Sequence, residues 1–125
     1  MIKERQILFH GGYFQNFYLE VSDNVKKKIG YVFRFITTVD KIPEQFLKHI
    51  EGTEGLYEIR IKSGSNIYRI FCCFDMGNIV VLFNAFQKKT TKTPKQEIDL
   101  AVKLKKEYFI IKGKQNEKER SNKKR

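Results

Sequence analysis

The stretch Ile79–Val80–Val81–Leu82–Phe83–Asn84–Ala85–Phe86–Gln87–Lys88–Lys89–Thr90–Thr91–Lys92–Thr93–Pro94 decides how the rest of the chain is read. Its first five residues are apolar without alternation, as in a strand covered on both faces. The loop that follows brings Lys88, Lys89 and Lys92 together at the rim. Thr93–Pro94–Lys95–Gln96 then reads as a capping box, with Thr93 as N-cap and Pro94 at the first helical position. A strand ending in lysines beside a helix N-terminus is a place where phosphate is stabilised. A solvated basic turn accounts for the same residues equally well.

Upstream lie two more strands. In Leu56–Ser63, Tyr57, Ile59 and Ile61 face one way and Glu58, Arg60 and Lys62 the other. Gly64–Ser65 is a hairpin turn. In Asn66–Phe74, Tyr68, Ile70, Cys72 and Phe74 share one side, and Ile67, Arg69, Phe71 and Cys73 the other. Asp75–Asn78 closes a second hairpin, so the three strands form an antiparallel meander.

Further out, Lys3–His10 reads as a first strand ended by Gly11–Gly12. Tyr13–Leu19 and Asn24 to about Thr37 carry apolar residues at helical spacing and form a helical hairpin, with Ser22–Asp23 as caps. Asp40–Pro43 reads as a turn, Pro43–Ile50 as one or two helical turns, and Glu51–Gly55 as a loop. Pro94 to about Ile111 is a last helix whose apolar face holds Ile98, Ala101, Val102, Leu104, Tyr108 and Phe109. From Lys112 onward hydrophobes vanish. The expectation is one domain over residues 1–111 and a basic, disordered tail over 112–125.

The chain carries a formal charge of +11, of which the tail, with seven Lys/Arg and two Glu, supplies +5. The remaining +6 therefore belongs to the folded part, which points to a polyanionic partner. Cys72 and Cys73 are neighbours on a strand, face opposite ways and read as small apolar residues in a reducing cytosol. With His49 isolated, no metal set is expected. Met1–Gln6 is charged, with no apolar segment behind it, so neither a signal peptide nor a membrane span is expected.

Arg60, Lys62 and Arg69 thus fall on the polar face of two adjacent strands, and Lys88 and Lys89 arrive at the end of the third. Phe71 and Phe86 supply aromatic rings nearby. Cations interleaved with rings can hold single-stranded nucleic acid, the charges tracking phosphates and the rings stacking bases. Such a face could also cleave RNA without a metal. A base withdraws the 2′-hydroxyl proton, cations stabilise the phosphorane and an acid protonates the leaving oxygen. A like charge nearby disfavours a protonated amine, and the candidates for proton transfer are Lys62, Lys88, Lys89 and Tyr68. The structural alternative is an ion-pair network in which Glu58 ties Arg60 and Arg69 together across the strands.

Three segments, in order, carry a family resemblance: the Leu56–Tyr57–Glu58–Ile59–Arg60 strand, the Tyr68–Arg69–Ile70–Phe71 strand, and Phe86–Gln87–Lys88–Lys89–Thr90 followed by Lys92–Thr93–Pro94. Over about residues 3–109 the chain is similar to the HigB-like, phage-derived branch of the RelE/ParE toxin superfamily. The resemblance implies an α+β fold: a small twisted antiparallel sheet of about four strands, an N-terminal helical hairpin and a C-terminal helix. It implies the toxin of a type II toxin–antitoxin pair, a cytoplasmic, metal-independent endoribonuclease that cuts mRNA on the ribosome. The implied partners are that mRNA and a helix-turn-helix antitoxin, with no membrane and no small-molecule cofactor. By position Arg69 matches the arginine that follows the aromatic in RelE-type enzymes, Arg60 and Lys62 match the basic residues of the preceding strand, and Lys88 matches a basic residue after the last strand. Together with the charge and ring placement above, the expectation is catalysis by Arg69, Lys88 and Lys62, and RNA or phosphate binding by Arg60, Lys89, Lys92 and Phe86. Many relatives have His-Gly where this chain has Asn84–Ala85, and the C-terminal tyrosine of RelE-type enzymes has no clear counterpart. The ParE branch poisons DNA gyrase, so a non-catalytic gyrase inhibitor and an inactive basic RNA-binding module stand as alternatives.

Overall fold

The computed structural model describes residues 4–123, with side chains described through residue 121. Alternating apolar residues and short turns build a sheet, and two helical segments with 3.6-residue periodicity cover one face of it. The elements are β1 (Gln6–Phe9), α1 (Tyr13–Glu20), α2 (Asp23–Thr38), β2 (Leu47–His49), β3 (Tyr57–Ser63), β4 (Asn66–Asp75), β5 (Ile79–Lys88) and α3 (Lys95–Lys123). The strand order is β1-β5-β4-β3-β2.

The fold is α+β, as expected, but the sheet has five strands and is mixed. β1 pairs with β5 in parallel. The expected first strand is shortened to Gln6–Phe9, and Lys3 lies outside the described residues. Pro43–Ile50 is not helical. After a turn in which Phe46 N–H donates to the Pro43 carbonyl (2.9 Å), Leu47–His49 pairs antiparallel with Tyr57–Ile59. The helical spacing in this segment is overridden because an open edge of β3 offers backbone partners that a one-turn helix lacks.

The strands alternate as their sequence requires. Ile59, Ile61, Tyr68, Ile70, Cys72, Val80 and Leu82 pack under α1 and α2 against Phe14, Val25, Ile29, Val32 and Ile36. Ser22 caps α2 by accepting from Val25 N–H at 3.3 Å. Leu56, Phe71, Cys73, Val81 and Phe83 pack on the other face under α3, against Ala101 and Leu104. Each fully buried aliphatic or Phe side chain contributes roughly 1.5–3 kcal/mol of transfer free energy, so the sheet is stabilised from both sides. Cys72 and Cys73 fall in different layers and are both free.

α3 differs from expectation at both ends. The Pro94 carbonyl accepts from Ile98 N–H (3.3 Å), so Pro94 takes the cap position expected of Thr93. At the far end the helix continues through the expected tail to Lys123; residues 124 and 125 lie outside the described residues. An established helix propagates one bond per residue fixed, and Lys, Glu, Gln and Arg propagate well. The helix is held against the body by Asp75, which accepts from Tyr108 Oη at 2.7 Å and from Lys112 Nζ at 2.6 Å. Lys112 is therefore part of the fold. Phe109, expected on the packed face, remains 38% exposed.

Candidate cationic site on the open half of the sheet

The site is built by cross-strand register. Arg60 lies opposite Arg69, and Arg69 opposite Phe86. One row along, Lys62 lies opposite Ile67, and Ile67 opposite Lys88. Residues directly opposite share a face, with Cβ atoms about 4.5–5.5 Å apart. Lys62 and Lys88, two strands apart, have Cα atoms about 10 Å apart. Their four-carbon stems allow both ammonium groups to reach one phosphate.

A β-bulge determines which β5 residues join this face. Ile70 pairs with Ala85 but Cys72 pairs with Leu82, so β5 carries one extra residue opposite Phe71. Strict alternation from Val81 and Phe83 would have turned Ala85 and Gln87 to the α3 side. The bulge turns Phe86 and Lys88 there instead. Asn84, 2% exposed, sits in the bulge and donates through Nδ2 to the Glu97 carbonyl at 3.0 Å. This ties the bulge to the first turn of α3. Asn84 thus supplies a structural tether, which sequence reading did not anticipate.

α3 crosses the sheet from Asn84 towards Asp75 and leaves the Arg60–Arg69 end uncovered. A depression of about 270 Å³ opens there, lined by Gln45, Arg60, Ile61, Lys62, Ile67 and Arg69. Phe71 is fully buried and unavailable for base stacking. Phe86, half-buried with its ring 5.7 Å from Phe71, borders the α3 core on one side and Arg69 on the other.

Glu58 organises the floor. Its Oε2 lies 3.1 Å from Arg69 Nε and its Oε1 lies 3.7 Å from Arg60 Nε. Glu58 and Arg69 are 5% and 7% exposed, and these ion-pair contacts are not aligned as hydrogen bonds. Arg69 also donates from Nη1 to the Tyr68 carbonyl at 3.2 Å. Burial lowers the Arg69 pKa; Glu58 opposes that shift and the like charge of Arg60 adds to it. The structural alternative, an ion-pair network across β3 and β4, is therefore present. It coexists with an opening to solvent, since Arg69 lines the depression. Three cations and one carboxylate leave this spot with a net charge of +2.

Of the residues expected at the site, Arg60, Lys62, Arg69, Phe86 and Lys88 come together. Lys88 is the last residue of β5 and not a loop residue. Lys89 and Lys92 are exposed in the loop to α3, where Thr90 Oγ1 donates to the Lys92 carbonyl at 2.7 Å. Tyr68 is removed from the list of proton-transfer candidates. It points into the opposite layer, is 7% exposed, and its ring lies 6.0 Å from that of Phe17. Among the described residues, no group of His, Cys, Asp or Glu converges as a metal set. No described helix is long and apolar enough to cross a membrane.

Residues 16–106 match the family of phage-derived Gp49-like proteins (DUF891). The chain belongs to this family. The match runs from α1 into α3 and includes every strand of the cationic face, and the Gp49-like family is a RelE/toxin-like one. No curated protein matches the chain. Family membership is compatible with a toxin and leaves the target open.

Proposed function

We propose that this Gp49-like chain is the HigB-like toxin of a type II toxin–antitoxin pair, a metal-independent endoribonuclease acting on mRNA held by the ribosome in the cytoplasm. Its partners would be that mRNA and a neutralising helix-turn-helix antitoxin. The observation that carries the reading is the juxtaposition, on one face of the sheet, of Arg60, Arg69 and Phe86 in one cross-strand row and Lys62 and Lys88 in the next.

In this reading the 2′-oxygen attacks the adjacent phosphorus and the bond from phosphorus to the 5′-oxygen breaks. The products are a 2′,3′-cyclic phosphate and a 5′-hydroxyl. Arg69, held by Glu58 and Tyr68, is preorganised to donate its remaining N–H groups to the non-bridging oxygens as their charge grows. Arg60 adds a second guanidinium. Lys62 and Lys88 are the two flexible amines within reach of the attacking and leaving oxygens, one taking a proton and the other supplying one. Phe86 offers a face for a base, and Lys89 and Lys92 extend the phosphate track.

The test is induced expression followed by mapping of RNA 5′ ends in cells. The expected result is growth arrest with new 5′-hydroxyl ends inside coding regions, absent for a folded Lys62→Gln/Lys88→Gln variant. Arrest with a DNA-damage response and no new RNA ends would replace this reading with gyrase inhibition. A buried Glu58–Arg69 pair is what a purely structural role of Arg69 would also produce, so the lysine variants decide the question more cleanly than Arg69 does.

A further inference from the structure

Between α1, the start of β4 and the end of β5 lies a cavity of about 410 Å³ that the phosphate chemistry does not use. It exists because β1 is short. β1 pairs with β5 only as far as Leu82, and the chain turns away at Gly11–Gly12 into α1. Beyond Leu82, β5 runs on to Lys88 with no strand on that edge among the described residues.

The lining mixes rings with polar groups. Tyr13, Asn16, Phe17 and Glu20 recur at i, i+3, i+4 and i+7 along α1, and all four border the cavity. A helix ordinarily spends such a stripe on core packing. Here only Phe17 joins the core, its ring 6.0 Å from that of Tyr68, while Asn16 and Glu20 are exposed. Tyr13 rests on Gly11, where a Cβ would come within 3.1 Å of the ring. Tyr68 is 7% exposed, yet its hydroxyl makes no hydrogen bond to another described residue. A buried tyrosine hydroxyl normally has a partner, so this one is a donor left for something in the cavity.

The cavity and the cationic patch meet at the end of β5. Phe86 lies opposite Arg69 in the cationic row and also borders the cavity. A nucleic-acid strand held by its phosphates on the patch can pass over this edge and splay a neighbouring base into the cavity, between rings. Glu20 decides what enters. Its carboxylate repels a phosphate and accepts from paired N–H donors. Of the four RNA bases only guanine presents two such donors side by side, N1–H and the N2 amino group. Its O6, next to them, accepts from the Tyr68 hydroxyl or from the Asn16 amide.

We infer that this cavity is a guanine-reading pocket for a nucleotide flanking the one whose phosphate lies on the patch, with Glu20 as the specificity-determining residue. The inference rests on the RNA reading for its ligand and adds to it a second site on the other side of the β5 edge. Tyr13 and Phe17 supply ring contact, which holds any base; Glu20 and Tyr68 supply the discrimination.

The experiment titrates the full chain with short single-stranded DNA oligonucleotides, which lack the 2′-hydroxyl and stay uncleaved. An all-thymine oligonucleotide is compared with ones carrying a single guanine, adenine or cytosine. Fluorescence anisotropy gives the affinities, and backbone amide NMR shifts give the place. The guanine oligonucleotide should bind about tenfold more tightly than the others, with added shifts at Asn16, Phe17, Glu20 and Gln87. Glu20→Ala, at an exposed position, should remove the guanine preference without weakening the all-thymine oligonucleotide. Tyr68→Phe should weaken only the guanine oligonucleotide and melt no lower than wild type, since it deletes a hydroxyl without a partner. Equal affinity for all four, a guanine preference that survives Glu20→Ala, shifts confined to the Arg60 and Arg69 strands, or no binding at all would each overturn the inference. No bond is cut in this assay, so its outcome is separable from that of the nuclease reading. A Glu20-dependent guanine preference in a protein that makes no RNA ends in cells would keep the pocket and discard the nuclease. New RNA 5′ ends without that preference would do the reverse.

Discussion

Glu58 on β3 and Arg69 on β4 meet with carboxylate Oε2 3.1 Å from guanidinium Nε, and both side chains are more than nine-tenths buried. The pair sits under the open end of the sheet, so one contact both joins two strands and sets the orientation of the deepest cation in the patch.

Removing one partner of such a pair leaves a buried charge uncompensated. Glu58→Gln should lower the unfolding free energy by roughly 3–5 kcal/mol. Arg69→Met should cost less, because Glu58 keeps Arg60, 3.7 Å away. Urea denaturation of both variants checks the order. Should Glu58→Gln prove as stable as the wild type, the pair is not structural, and loss of toxicity in any Arg69 variant could be assigned to chemistry directly.

Lys62 is exposed and Lys88 half-buried, so neither should matter much to folding. Lys62→Gln and Lys88→Gln should each change stability by less than about 0.5 kcal/mol. Each should slow RNA cleavage by about 10²–10³-fold, as expected for a group that acts on the developing charge or moves a proton. Cleavage of ribosome-bound mRNA measured beside a urea melt separates the two effects. Wild-type cleavage by both variants would remove the lysines from the reaction.

Asp75 gives the fold an acid-sensitive clasp. Burial pushes its carboxyl pKa up, but hydrogen bonds from Lys112 and Tyr108 outweigh this, and the net shift is down from the ordinary 3.8. The sign follows from linkage. A carboxyl whose folded-state pKa is depressed contributes stability above its unfolded value and loses it as pH falls through the folded one. The wild type should therefore weaken below about pH 4. Asp75→Asn should lose about 1–3 kcal/mol at neutral pH and show a flatter decline in acid. Urea midpoints from pH 7 to pH 2 report both. An unchanged acid slope in Asp75→Asn would show that other groups control it.

The thiols should be silent in the native state. Burial pushes Cys73 up to about 11 and Cys72 well above its ordinary value. At pH 8 the thiolate of Cys73 is then about a thousandth of the total. Ellman's reagent should leave both cysteines unmodified for as long as the protein stays folded, and titrate two thiols per chain in urea. Fast native reaction would mean that the β4 strand opens locally.

Much of the molecule was legible in the amino-acid order. Alternation in Tyr57–Ser63 and Asn66–Asp75 fixed which residues share a face, since a strand has period two and one face must be buried. Apolar spacing of 3.6 and the Ser22 cap located the helical hairpin, because these signals are local. The side of the sheet taken by Lys88 depends on one extra residue at Asn84, which reverses the alternation beyond it, and nothing in the apolar run marks where that residue falls. The burial of Arg69, the pairing of Leu47–His49 with β3 and the parallel edge at β1 depend on neighbours distant in sequence. The sequence determined the charges and the faces. Tertiary register decided which charges meet, because a cross-strand neighbour is set by the pairing of backbones that no local pattern encodes.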